Sequence, residues 1–199
     1  MKEILWSILK IFGFLLVLPL IIEFFISFQT QILTLPADKE AWMLWGAGTY
    51  VFLNLFVYDF KAVYDSGKMV LEKVFSYVKP IGLLVPIFTV ILIMAYIIAL
   101  IMGRGVTTQP YFLFAIAFSL AMHLILTAHE IYQSDKSVLK AHYLCAFGVI
   151  LIANLFIISL LLAWAIPEYS FVAFIKSLSS HTIHLYKSVY KALFVDSSV

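Results

Sequence analysis

Ser119, His123, Thr127 and Glu130 follow one another at intervals of four, four and three residues, which places them on one stripe of a helix within about 120°. An imidazole titrates near neutrality, and a carboxylate seven residues further on lies about 10.5 Å along the helix axis. Such a stripe could carry a proton or line a solute path. Headed by Ala115, the same row of small residues could equally be a packing seam that lets a second helix approach closely and satisfies one histidine internally.

Other chemistry is weaker. His129-Glu130 opens like the zinc-protease pattern H-E-x-x-H, but Gln133 occupies the second histidine position and the motif fails. His129 and His142 flank a short connection and could face a haem or quinone, yet two imidazoles fall short of the three protein ligands of a catalytic zinc. The single cysteine, Cys145, forms neither an internal disulfide nor a metal pair. Neither a G-x-S-x-G elbow nor a phosphate-binding glycine loop is present. The expectation is therefore no catalytic residue, no metal, no resident cofactor and no enzyme.

The stripe belongs to a long apolar segment, and so do the remaining polar groups of interest. Tyr143 to Ile166 is uncharged over 24 residues and Ile81 to Met102 over 22, enough to cross a hydrocarbon core of about 30 Å. Hydrophobic residues make up 64% of the chain and charged residues 12%, against about 25% charged in a soluble domain. These properties predict an all-α polytopic membrane protein with spans at residues 11–28, 41–58, 81–102, 110–128 and 143–166. The second span, with Asn54 and two glycines, is the least apolar. The first follows Lys2 and Lys10 but outruns the h-region of a secretory signal and lacks a small-residue cleavage site, so it reads as an uncleaved span.

Lysine counting orients the bundle. With the N-terminus cytoplasmic, Lys2, Lys10, Lys61, Lys68, Lys73, Lys79, Lys136 and Lys140 fall inside, against Lys39 and Arg104 outside. Trp42, Trp45 and Trp164 then mark the outer interface and Trp6 the inner one. A bacterial inner (plasma) membrane is the expected setting. Asn54 and His123 would share a depth in the inner leaflet and could hydrogen-bond, Asn154 would lie near the midplane, and Glu23 would sit in the outer leaflet, protonated, snorkelling or paired with another chain.

Two further segments are amphipathic. In residues 167–199, Phe171, Phe174, Ile175, Leu178, Leu185, Tyr186, Val189 and Leu193 share one face, and Lys176, Ser177, Ser180, His184, Lys187, Ser188 and Lys191 the other. Five spans would leave this tail outside, resting on lipid headgroups or docked on a partner through its apolar face, with Lys187 and Lys191 at the rim. A sixth crossing would submerge lysines at roughly 2.5–3.5 kcal/mol for each central charge. Between spans two and three, Asp65-Ser66-Gly67 reads as a turn and helix cap, followed by a cytoplasmic elbow helix burying Met69, Val70, Leu71, Val74, Phe75 and Val78 before Pro80.

A net charge of +2 without a like-charge run gives no nucleic-acid arm. Eight glycines and an odd span number give no inverted repeat of the kind transporters use. The pattern points to a non-enzymatic membrane subunit or scaffold whose partners are the lipid bilayer and other membrane proteins. The alternatives are a small transporter or channel along His123 and Glu130, and a redox anchor holding haem or quinone near His129 and His142.

Overall fold

The structure, a computed structural model, describes residues 2–75, 81–135 and 140–194, and every regular element among them is helical. In chain order these are α1 (Lys2–Leu33), α2 (Ala37–Phe56), α3 (Lys61–Val74), α4 (Ile81–Leu84), α5 (Ile87–Ile101), α6 (Gly105–Ser134), α7 (Ala141–Ala165) and α8 (Phe171–Phe194). Val78, Lys79, Pro80 and Lys136 lie outside the described residues, as do the side chains of Lys2, Val189 and Leu193. Three helices contain stretches long and apolar enough to cross a membrane: Ile8–Leu33, Thr108–Ser134 and His142–Ala165.

The helices pack with α6 at the centre, against α2 on one side and α5 on the other, while α7 lies between α1 and the α5–α6 pair. Gly46 sets the α2–α6 distance, because a Cβ there would run into the Phe114 backbone. One end of the bundle is tied by Lys39, at the start of α2, reaching Glu168 after α7 at 2.7 Å. That bond holds the Glu168 carboxyl below the usual carboxylate range. At the other end Lys10 of α1 donates to the His142 imidazole, and the Cys145 thiol donates to the Lys10 carbonyl at 3.2 Å. Trp42, Trp45 and Trp164 lie towards the first end and Trp6 towards the second, all exposed.

Several boundaries differ from the sequence reading. The segment 81–102 is not one helix: α4 stops at Leu84, Val85-Pro86 is non-helical, and α5 resumes at Ile87. Proline lacks the N–H that would continue the ladder and pushes its predecessor away from helical dihedrals, so the break follows from Pro86. Only 15 residues of α5 remain continuous, about 22 Å of helix.

The elbow helix also starts earlier. α3 begins at Lys61, whose backbone N–H donates to Asp59 Oδ1 at 2.9 Å, and Asp65-Ser66-Gly67 falls inside the helix instead of capping it. Its buried face is Tyr64, Gly67 and Leu71; Met69, Val70, Val74 and Phe75 are exposed. Gly67 decides which side turns inward, since a Cβ there would press on the Phe88 ring and on Ile87 of α5.

α8 lies against its own chain. Phe174 and Leu178 are buried with Phe24 of α1 and Leu155 of α7, and Phe171 meets the Phe156 ring at 5.4 Å. Leu185 is half-buried, while Lys187 and Lys191 are exposed. The face expected to rest on lipid or a partner is thus covered over Phe171, Phe174 and Leu178 by α1 and α7.

Candidate functional site

Each member of the α6 stripe meets a different neighbour. Nearest the middle of the bundle, Ser119 Oγ lies 3.0 Å from Thr89 Oγ1 of α5 and donates to the Ile116 carbonyl at 3.0 Å. One turn on, His123, only 4% exposed, places Nε2 3.1 Å from the Leu83 carbonyl oxygen. A carbonyl only accepts, so Nε2 carries the proton. Thr127 is fully buried against the Tyr64 hydroxyl of α3 at 2.9 Å. Tyr64 in turn donates to Glu130 Oε2 at 3.3 Å, and Lys68 forms an ion pair with Glu130 Oε1. Burial pushes the Tyr64 phenol up and the Glu130 charge adds to it, outweighing the Thr127 hydrogen bond, so Tyr64 remains a donor.

The His123 contact explains how the broken helix survives inside the protein. The Ile81 carbonyl still accepts from the Val85 N–H at 3.0 Å, but the ladder stops at Pro86, which has no N–H, and the carbonyls that follow need other donors. Leu83 O takes His123, and Leu84 O takes Asn154 Nδ2 of α7 at 3.3 Å. Asn154 is fully buried and also donates to Ile150 O at 2.9 Å, while its Oδ1 has no hydrogen-bond partner. Two buried polar side chains, one from α6 and one from α7, therefore act as caps for α4. Irregular backbone within a membrane is tolerated where neighbouring side chains re-satisfy it.

The stripe opens towards α3. A cavity of about 150 Å³ lies where α3 meets α6, lined by Lys61, Tyr64, Asp65, Leu126, His129, Glu130 and Gln133. Tyr64 and the Lys68–Glu130 pair separate it from a void of about 10 Å³ beside His123, barely room for one water. Past Ser119 the bundle is filled by Ile93, Leu113, Ile116 and Leu162, all fully buried, with Tyr96 at 1% exposure.

Other sequence candidates are placed apart from one another. Asn54 accepts from Tyr50 of its own helix at 3.2 Å and is not joined to His123. His129 accepts from Gln133 at 2.7 Å at the cavity, whereas His142 is held by Lys10 beside α1. Among the described residues no group of three or more His, Cys, Asp or Glu side chains could hold a metal ion. Tyr64, Lys68 and Thr89, which complete the stripe, were not singled out from the sequence as its partners. The available signal was that α6 carries polar groups on a face that must turn inward, which requires partners on whatever covers it.

Glu23 belongs to a separate polar seam between α1 and α8. Ser27 donates to Ser177 at 3.3 Å, and His181 Nδ1 approaches Glu23 Oε2 to 3.5 Å without making a hydrogen bond. Thr182 Oγ1 is likewise buried without a partner. No known protein family, curated protein or solved structure matches this chain.

Proposed function

We propose that this chain is a non-enzymatic integral membrane subunit or scaffold of a larger membrane assembly, anchored by hydrophobic spans at 11–28, 41–58, 81–102, 110–128 and 143–166. On this reading the N-terminus and the lysine-rich connections face the cytoplasm of a bacterial inner membrane, as the lysine bias favours. The observation that supports it is the use made of the α6 stripe: His123 is committed to the Leu83 carbonyl, Thr127 and Glu130 to α3, and Ser119 to Thr89. Polar groups spent on the protein's own backbone and hydroxyls support a packing seam over a conduction path.

A small transporter or channel is the second reading, favoured by the cavity whose lining includes His129 and Glu130. It would need an opening through the apolar outer half. The redox anchor is the third, with His129 and His142 directed to different partners. Purification in mild detergent separates the readings. Stoichiometric companion proteins are expected from the first, proton or solute flux in liposomes holding the chain alone from the second, and a Soret band in the pure protein from the third. Flux without companions would overturn the proposal.

A further inference from the structure

Three contacts fix how α8 runs. Ser27 meets Ser177, Glu23 meets His181, and the Leu16 carbonyl accepts from the Tyr186 hydroxyl at 2.6 Å. Each step back along α1 is a step forward along α8, so the two helices are antiparallel neighbours. At 1.5 Å per residue this register sets His184 opposite about residue 19 of α1, the middle of the span 11–28, and Lys187 opposite about residue 16. A helix lying flat at an interface does not keep this register with a membrane-crossing helix.

The surface of α8 away from α1 is divided. Val172, Ile183 and Tyr190 are 62%, 55% and 62% exposed on one side, a stripe suited to lipid tails. Beside it run Ser180, His184, Lys187 and Lys191, all exposed and spaced four, three and four residues apart. That interval is the seam along which one helix packs on another. Ser180 donates to the Ser177 carbonyl of its own helix at 3.0 Å, and the three cationic or titratable members, His184, Lys187 and Lys191, have no partner in an ion pair or side-chain hydrogen bond among the described residues. Lys187 and Lys191 can extend their stems towards the headgroups, but the short His184 imidazole cannot leave the middle of the bilayer.

We propose that α8 returns through the membrane beside α1, and that Ser180, His184, Lys187 and Lys191 form the docking seam for a transmembrane helix of another protein. The partner helix carries an Asp or Glu at the depth of His184 and Lys187. Charge complementarity selects this occupant. α7 offers no carboxylate between Cys145 and its end, and Glu23 faces His181 nearer the start of α8. A second copy turned about the membrane normal would bring the same cationic row against itself. The inference rests on the membrane-subunit reading and supplies the chemistry of its partner.

The test uses the full-length chain in native membranes. First, Ser27→Cys with Ser177→Cys on a Cys145→Ser background should form a disulfide, and Ser188→Cys should be labelled only from the side that bears the N-terminus. No disulfide, or labelling from the opposite side, overturns the proposal. Next, Ser180→p-benzoylphenylalanine should photo-cross-link to a membrane-spanning peptide of another protein that contains Asp or Glu. Lys187→Glu should lower that yield at least tenfold, and replacing the partner's acid by Lys should restore it. An adduct with lipid alone, with a second copy, or with a peptide lacking acid overturns the seam, as does a yield indifferent to Lys187→Glu. The same cross-linker at Trp45 and Leu55 separates the two failures: protein adducts there with none at Ser180 remove only the α8 seam, whereas no protein adduct at any position removes the subunit reading as well.

Discussion

Two polar seams run through this bundle, built from nearly the same residue types and finished differently. Between α6 and its neighbours α3, α4 and α5, Ser, Thr, His and Glu are each matched: hydroxyl to hydroxyl, imidazole to a free carbonyl, carboxylate to an ammonium and a phenol. Between α1 and α8 the side-chain pairs are long, at 3.3 and 3.5 Å, and Glu23 Oε2 and Thr182 Oγ1 have no hydrogen-bond partner, although the Tyr186 hydroxyl donates to the Leu16 carbonyl at 2.6 Å further along. The difference lies in what faces the polar group. A helix break presents immobile acceptors that a side chain can cap, whereas at Glu23 and Ser27 two continuous helices meet side chain to side chain. The first seam is a structural lock, and the second holds its helices chiefly through apolar packing around Phe24, Leu155, Phe174 and Leu178.

The sharpest way to break this contrast is His123→Ala. It removes the cap from Leu83 and leaves a hole beside Pro86, at an expected cost of about 2–4 kcal/mol. Unfolding in detergent monitored by circular dichroism measures it; a loss below about 0.5 kcal/mol would sink the lock. Asn154→Leu should cost less, about 1–2 kcal/mol, because it strands Leu84 O but also removes the orphaned Oδ1. The same melt, compared directly with His123→Ala, ranks the two caps. Tyr64→Phe should cost about 1 kcal/mol by unlinking Thr127 from Glu130, read from hydrogen exchange in α3.

On the other seam, Glu23→Gln should change stability by no more than about 0.5 kcal/mol, since the oxygen it alters makes no hydrogen bond. A large loss would show that the α1–α8 seam is as well matched as the first. The smallest effect belongs to Lys39–Glu168. Its carboxyl titrates below the usual range, so the pair contributes above the ordinary glutamate pKa of about 4.3 and is lost as pH falls through the lower folded value. With Glu168 41% exposed, screening leaves a few tenths of a kcal/mol, about the lower bound for surface pairs. Glu168→Gln should flatten that part of the stability–pH curve.

Helical class and the apolar segments were legible because uncharged runs of 22 and 24 residues admit little else. The α6 stripe was legible as a face, since spacing alone determines which residues share one. What covers a face is a long-range property. The partner of His123 is 40 residues away and that of Asn154 is 70, and nothing periodic connects them. Pro86 was recognisable as a kink, but not the two carbonyls it sets free. Asp65 resembled a helix cap by type, yet it lies inside α3, where Asp59 accepts the Lys61 N–H just ahead of the helix and Gly67 serves close packing against Phe88. The α8 wheel revealed an apolar face without revealing that α1 and α7 would cover it.

The Val85-Pro86 interruption also has a consequence for biosynthesis. Its exposed oxygens belong to residues that leave the ribosome well before the side chains that quiet them, 40 and 70 positions downstream. At about 5–20 residues per second, the later of these arrives roughly 4–14 s afterwards. During that interval the oxygens of Leu83 and Leu84 must find their hydrogen bonds in water or in another protein, until α6 and α7 supply His123 and Asn154.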